Sequence, residues 1–168
     1  MKTSKLVSTA LVAAVSLGVY ALESAIPPLV AIPGVKLGLA NAITLISLYT
    51  LGSTYTLWAL VIRIIISSLL FAHPVSFLFS ISGGLTAFAA MSALKRFFDH
   101  DSVWALSVFG AFAHNIGQIV VAIIITKQLA IAYYFLILVI SSVVCGVFTG
   151  ICAMYCIKKL NSHGLNMQ

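Results

Sequence analysis

Charge is what this chain has least of. Nine basic and three acidic side chains are spread over 168 residues, of which 62% are hydrophobic, and the mean hydropathy is +1.17. A water-soluble domain of this size leaves roughly a third of its unfolded-chain surface in water and cannot cover so much apolar area. The scarcity of charge excludes a soluble enzyme. It predicts an all-α integral membrane protein, one transmembrane domain over residues 1–168, with no length left for a soluble domain.

Other absences narrow the chemistry. The only acids are Glu23, Asp99 and Asp101. A prenyl diphosphate synthase needs clustered carboxylates to hold Mg²⁺ on a diphosphate, whereas Asp99 and Asp101 flank His100 in a short segment that reads as a solvated loop. No P-loop pattern is present, so the chain has no ATPase of its own. Neither a G-x-S-x-G elbow nor an H-E-x-x-H motif occurs. The three cysteines, Cys145, Cys152 and Cys156, all fall in the last apolar segment, and an odd number there argues against a disulfide framework. Their spacing puts them near one helical face, either as small hydrophobes or as soft-metal ligands; buried cysteine favours the first. We expect no metal and no cofactor. The net charge of +6 forms no patch, because basic residues stand in ones and twos at segment ends. That placement is topological and gives no reason to expect nucleic acid.

What remains is a series of apolar segments, and about 20 residues make one span. They cover approximately 6–26, 39–51, 55–71, 75–94, 103–126 and 129–157. Segment one also fits a cleaved signal peptide, with Lys2 and Lys5 ahead of an apolar run and "VYA" near its end, but that reading forfeits an even helix count. Segment two is short and polar at Asn41 and Thr44. Pro74 closes segment three after His73, because proline removes a donor and clashes with the preceding turn. Only Lys127 and Gln128 separate segments five and six, which predicts a tight antiparallel hairpin. A six-transmembrane-helix bundle with N- and C-termini cytoplasmic puts Lys2, Lys5, Lys95, Arg96, Lys158 and Lys159 inside, against Lys36 and Lys127 outside.

Several polar residues fall deep within these spans. Arg63 sits mid-segment in "LVIRIIISS", where a charge costs about 3 kcal/mol or more unless partnered or wet. It must face the interior, as half of a packing ion pair or as a cation for an anionic ligand. Glu23, one turn before Pro27, is either its partner or part of a pocket entered from outside. His114 and Gln118 share a helical face and Asn115 lies about 100° round. These three lie at roughly the depth of Arg63 and of Ser82, Gly83 and Gly84. Interhelical hydrogen bonds would satisfy them; lining a single cavity is the sharper reading, with the glycine pair permitting close approach. Small-residue stripes at Ala10, Ala14 and Gly18, and at Gly146 and Gly150, suit packing within the bundle or docking to another subunit.

The pieces "ESAIPP", "PGVKLGLANAITLISLY", "SISGGLTAFAAM" and "GAFAHNIGQIVVA" resemble a bacterial family labelled heptaprenyl diphosphate synthase component I, also called the Gx transporter family. The resemblance covers roughly residues 6–157, and "PGVKLGLAN" is its most specific part. The family is similar in size and topology to the S-components of energy-coupling factor importers. Those are six-helix proteins without an ATPase that capture a vitamin-like molecule outside and topple on a shared module. The resemblance implies a bacterial plasma membrane location, no enzymatic activity, and partners consisting of a transmembrane coupling protein and two ATP-hydrolysing subunits. Ala10 and Ala14 match the A-x-x-x-A spacing that meets the coupling protein. Members also resemble a membrane component encoded beside flavin-transfer and demethylmenaquinone genes, which suggests a quinone or isoprenoid precursor as ligand.

Together these readings predict an importer subunit that binds a small, partly apolar, anionic molecule in an outward-facing pocket. Arg63 would neutralise the anion and His114, Asn115 and Gln118 would supply oriented hydrogen bonds. Glu23 and Lys36 would shape the entrance, Asn41 would add a donor, and Ser82, Gly83 and Gly84 would complete the lining. The competing expectation is a non-catalytic accessory subunit of prenyl diphosphate or menaquinone metabolism, or of extracellular electron transfer, whose polar groups only lock helices together. An embedded redox subunit is disfavoured, because His114 has no second intramembrane histidine at matching depth.

Overall fold

Hydrocarbon offers no water to take up N–H and C=O groups, so a spanning segment closes its hydrogen bonds on itself, and the helix does this. The computed structural model describes residues 2–25, 38–71, 74–129, 133 and 135–162. These form α1 (Lys2–Ala25), α2 (Leu39–Thr50), α3 (Ser53–Phe71), α4 (Pro74–Leu94), α5 (Val103–Thr126) and α6 (Phe135–Ser162), with a 3-10 turn at Lys95–Phe97. No strand occurs among the described residues. All but α2 are long and apolar enough to cross a bilayer. The outward side chains are large and apolar: Leu22, Leu69 and Leu136 are 70%, 79% and 70% exposed. Such a surface is a liability in water and the proper contact for acyl chains. The chain is an all-α, multi-pass membrane protein.

Packing centres on α5, which meets α4 and α6 more extensively than any other pair of helices meet. The α5–α6 pair is antiparallel: the Trp104 and Val108 backbones lie against Gly150 and Gly146, and Asn115 reaches Ser142. A Cβ on Gly150 would lie 2.6 Å from the Trp104 Cα, and one on Gly146 2.7 Å from the Val108 Cα. These glycines let the helix backbones touch, and the α6 stripe is therefore internal packing. Ser107 and Thr149 hydrogen-bond across the same seam at 3.1 Å. The α1 stripe behaves differently. Thr9, Ala13, Ser16, Tyr20 and Glu23 bury, whereas Ala10, Ala14 and Gly18 are exposed, and a Cβ on Gly18 would meet nothing within 4 Å.

The apolar core lies at one end of the bundle, where Leu45 and Leu48 of α2, Met91 of α4, Val103 and Leu106 of α5 and Ile157 of α6 converge. Lys5, Lys95 and Lys158 lie at that end. Lys95 donates to the Leu48 carbonyl at 2.9 Å while its ammonium stands 4.9 Å from the Tyr49 ring centre. The Tyr49 hydroxyl donates to the Phe98 carbonyl, Lys158 pairs with Asp101 at 2.6 Å, and Lys5 lies over the Tyr55 ring. A cation at the last turn of α2 complements the unpaired carbonyls and the negative end of the helix dipole.

Helix α2 has 12 residues and spans about 18 Å, against roughly 30 Å of hydrocarbon. Its last turn is at the basic end, so its first turn starts inside the bundle. Gly52, at φ 84, turns the chain directly into α3.

One connection departs from the sequence reading. Helix α6 begins at Phe135, six residues later than expected, and runs on to Ser162, so the α5–α6 link is longer than Lys127 and Gln128. Lys127 takes a left-handed conformation, φ 55, and ends α5. Leu129 and Tyr133 lie outside α6 at 77% and 88% exposure. Apolar and aromatic residues suit a connection at the membrane interface as well as they suit a span, and hydropathy does not separate the two.

Candidate ligand cleft

The first turn of α2, the middle of α5 and the first half of α6 do not close on one another completely. Between them lies a partly open cleft of about 60 Å³, room for about four to six water molecules. Asn41, His114, Asn115, Gln118, Ser142 and Cys145 contribute to its wall. A second void of about 10 Å³ among α1, α2 and α3 holds one water at most.

One side chain at the cleft has its orientation fixed by hydrogen bonds, and a second is short of a partner. Asn115 Nδ2 donates to the Leu138 carbonyl at 3.0 Å and to Ser142 Oγ at 2.7 Å, while Ser142 Oγ itself donates to the Leu138 carbonyl at 2.7 Å. A backbone carbonyl only accepts, so the amide nitrogen must face α6 and the Asn115 oxygen is left as the acceptor. The second is Gln118, whose Oε1 is buried and has no hydrogen-bond donor among the described residues. A buried carbonyl without a donor costs about 1–3 kcal/mol.

His114 is positioned by α4. Its ring fits into the notch left by Gly83, where a Cβ would stand 2.7 Å from Cε1. One residue on, Gly84 faces the other way, toward Ile64 and Leu60 of α3. Ser82 Oγ donates to the Gly117 carbonyl, and Thr86 Oγ1 donates to the Ala113 carbonyl. Ser82, Gly83 and Gly84 thus fasten α4 to its neighbours and are not among the residues lining the cleft.

Arg63 also lies outside the lining. It is 4% exposed, with its guanidinium carbon 5.8 Å from the Tyr20 ring centre. Its Nε has no hydrogen-bond partner among the described residues. Glu23, 7% exposed, does not form an ion pair with it; its carboxylate accepts the Gly38 N–H at 2.6 Å. The polar layer expected at one depth is therefore two groups with α4 between them: His114, Asn115 and Gln118 on the α5–α6 side, Arg63, Tyr20 and Glu23 on the α1–α3 side. Lys36 lies outside the described residues. Sequence reasoning missed Ser142, whose signal was its place on the buried Leu138, Ser142, Gly146, Thr149 and Ala153 face of α6, and did not place Cys145 at the cleft.

These features define a class, a multi-pass helical membrane protein with a polar interior cleft. The family model for heptaprenyl diphosphate synthase component I matches residues 12–156, and the chain belongs to that family. No curated protein and no solved structure matches it.

Proposed function

We propose that this chain is the substrate-binding membrane subunit of an importer of the energy-coupling factor type, taking a small, partly apolar molecule into the α2–α5–α6 cleft. The observation that carries the reading is α2 beginning inside the bundle. A helix that stops short of the far face leaves room above its first turn, and polar side chains from three helices converge there. Small-molecule sites in membrane bundles favour such broken-helix interiors. His114, Asn115 and Gln118 provide oriented hydrogen bonds, Asn41 contributes from α2, and Glu23 holds the start of α2 in place through Gly38. The exposed face bearing Ala10, Ala14 and Gly18 is the docking surface for a coupling protein, whose ATP-hydrolysing partners supply the energy. The basic end faces the cytoplasm of a bacterial cell, with both termini on that side.

The chain itself is non-catalytic in this reading. Glu23 lies at the other end of the bundle from Asp99 and Asp101, and of these two Asp101 is already paired with Lys158, which leaves a poor cradle for a diphosphate-bound metal. A quinone or isoprenoid precursor is the ligand that the family resemblance suggests. The family's description favours a second reading, a membrane accessory subunit that works beside another component of a prenyl diphosphate synthase. Purification with and without a coupling module, followed by mass spectrometry of retained small molecules, separates the two. Failure both to bind the module and to retain any small molecule sinks the importer reading; co-purification with a synthase subunit instead supports the accessory one.

A further inference from the structure

The cleft also specifies a ligand chemistry, provided that it is the binding site proposed above. Among the described residues no Lys, Arg, Asp or Glu lines it. The Asn115 nitrogen is committed to two acceptors on α6, which turns its oxygen toward whatever else approaches. Gln118 Oε1 is buried without a donor. Ser142 has its proton on the Leu138 carbonyl, and Ser107 and Thr149 are engaged with each other. Beside the N–H groups of Asn41 and Gln118, the cleft thus presents two amide oxygens, those of Asn115 and Gln118, that are left to accept. An anion brought here would find neutral amide and hydroxyl groups and no Lys or Arg among the described lining to offset its charge, and charge at mid-bilayer depth is costly. A neutral molecule bearing an O–H or N–H would satisfy the oxygens and lose little on entering a low-dielectric site.

We infer that the cleft selects an uncharged, largely apolar molecule that donates a hydrogen bond to Gln118 Oε1 and Asn115 Oδ1, and that it discriminates against carboxylates and phosphates. Recognition by an unsatisfied buried acceptor is selective. An analogue without the donor leaves that oxygen unpaired and forgoes the interaction.

Three probes of similar shape test this on the full chain in lipid nanodiscs, with empty nanodiscs as the baseline: 4-methylphenol as neutral donor, 4-methylanisole as its acceptor-only ether, and 4-methylbenzoate as the anion. The expected result is saturable binding of the phenol at least about fivefold tighter than the anisole, with no saturable binding of the benzoate. Gln118→Met, which keeps length and loses the acceptor, should remove the phenol's advantage. Gln118→Glu keeps an acceptor oxygen and should retain it, and unchanged thermal unfolding of both variants shows that they fold. Equal binding of phenol and anisole overturns the inference, as does a phenol preference that survives Gln118→Met. Preferential binding of benzoate, lost in Lys36→Gln or Arg63→Gln, overturns it while leaving the cleft as a binding site. No saturable binding of any of the three overturns both the inference and the ligand-site reading on which it rests.

Discussion

The Glu23 carboxylate accepts the Gly38 N–H at 2.6 Å across fifteen residues of chain. The bond ties the far end of α1 to the first turn of α2, where unpaired N–H groups and the positive helix end favour a carboxylate. Charge-assisted bonds of this kind contribute about 1.5–3 kcal/mol. Glu23→Ala should lower the unfolding midpoint in nanodiscs accordingly. Glu23→Gln, which keeps an acceptor oxygen, should recover more than half of the loss. Equal losses in both variants would mean that the negative charge matters and the bond does not.

Arg63 tests whether a buried cation is structural. It is 4% exposed, has no ion pair with Glu23 and has an Nε without a hydrogen-bond partner among the described residues. Replacing a poorly compensated buried charge with an apolar side chain of similar volume is often neutral or stabilising. Arg63→Met should therefore fold, with an unfolding midpoint equal to or above that of the parent, and should bind 4-methylphenol unchanged. Loss of phenol binding in the folded variant would place Arg63 in the site.

Glycine substitutions should divide by what a methyl would meet. At Gly117 a Cβ would lie 2.5 Å from Thr86 Oγ1 and 2.8 Å from the Ser82 carbonyl oxygen, and at Gly150 it would press on the α5 backbone. Backbone cannot rotate aside, so Gly117→Ala and Gly150→Ala should each cost about 1–3 kcal/mol. Gly18→Ala has open space and should leave the isolated protein's stability unchanged or raise it. If α1 docks to a coupling protein, Gly18→Leu should fold normally and fail in complex assembly. Assembly that survives Gly18→Leu would remove that face from the docking surface.

The Lys158–Asp101 pair fixes an acid dependence. The hydrogen bond and charge of Lys158 hold the Asp101 carboxyl below its ordinary value of 3.8. A folded value below the unfolded one means that the pair's contribution is complete above about pH 4 and fades as acid protonates the carboxylate. Both side chains are well exposed, so the effect should be small and vanish in high salt. Unfolding midpoints of Asp101→Asn and the parent should differ slightly at pH 7 in low salt and converge toward pH 3. A difference that grows with acid would contradict the pairing.

Much of this fold is legible in the residues because lipid imposes simple rules. The bounds of α5 follow from an apolar run between Asp101 and Lys127, and those of α4 from Pro74 and the Lys95-Arg96 pair. The start of α6 is not legible, since Leu129 and Tyr133 are as apolar outside the helix as residues within it. The site is legible by depth and not by direction. Spacing along each segment puts His114 and Arg63 near the middle of their helices. That His114 packs on the Gly83 side of α4 while α3 packs on the Gly84 side depends on which helix neighbours which, and no period in the sequence encodes neighbours. Asn115 shows the same limit: its position is readable, whereas the carbonyl that fixes its amide belongs to a residue 23 positions later.

Lys95 serves two purposes with one ammonium. As a basic residue at a segment end it helps orient the chain, and through the Leu48 carbonyl it also plugs the last turn of α2. Charge-relocation experiments, the usual means of mapping which face of a bundle meets the cytoplasm, will therefore report two things at once at this position. Neutralising Lys95 frees a helix end even where orientation is unchanged, so Arg96 and Lys159 are the sounder positions at which to move charge.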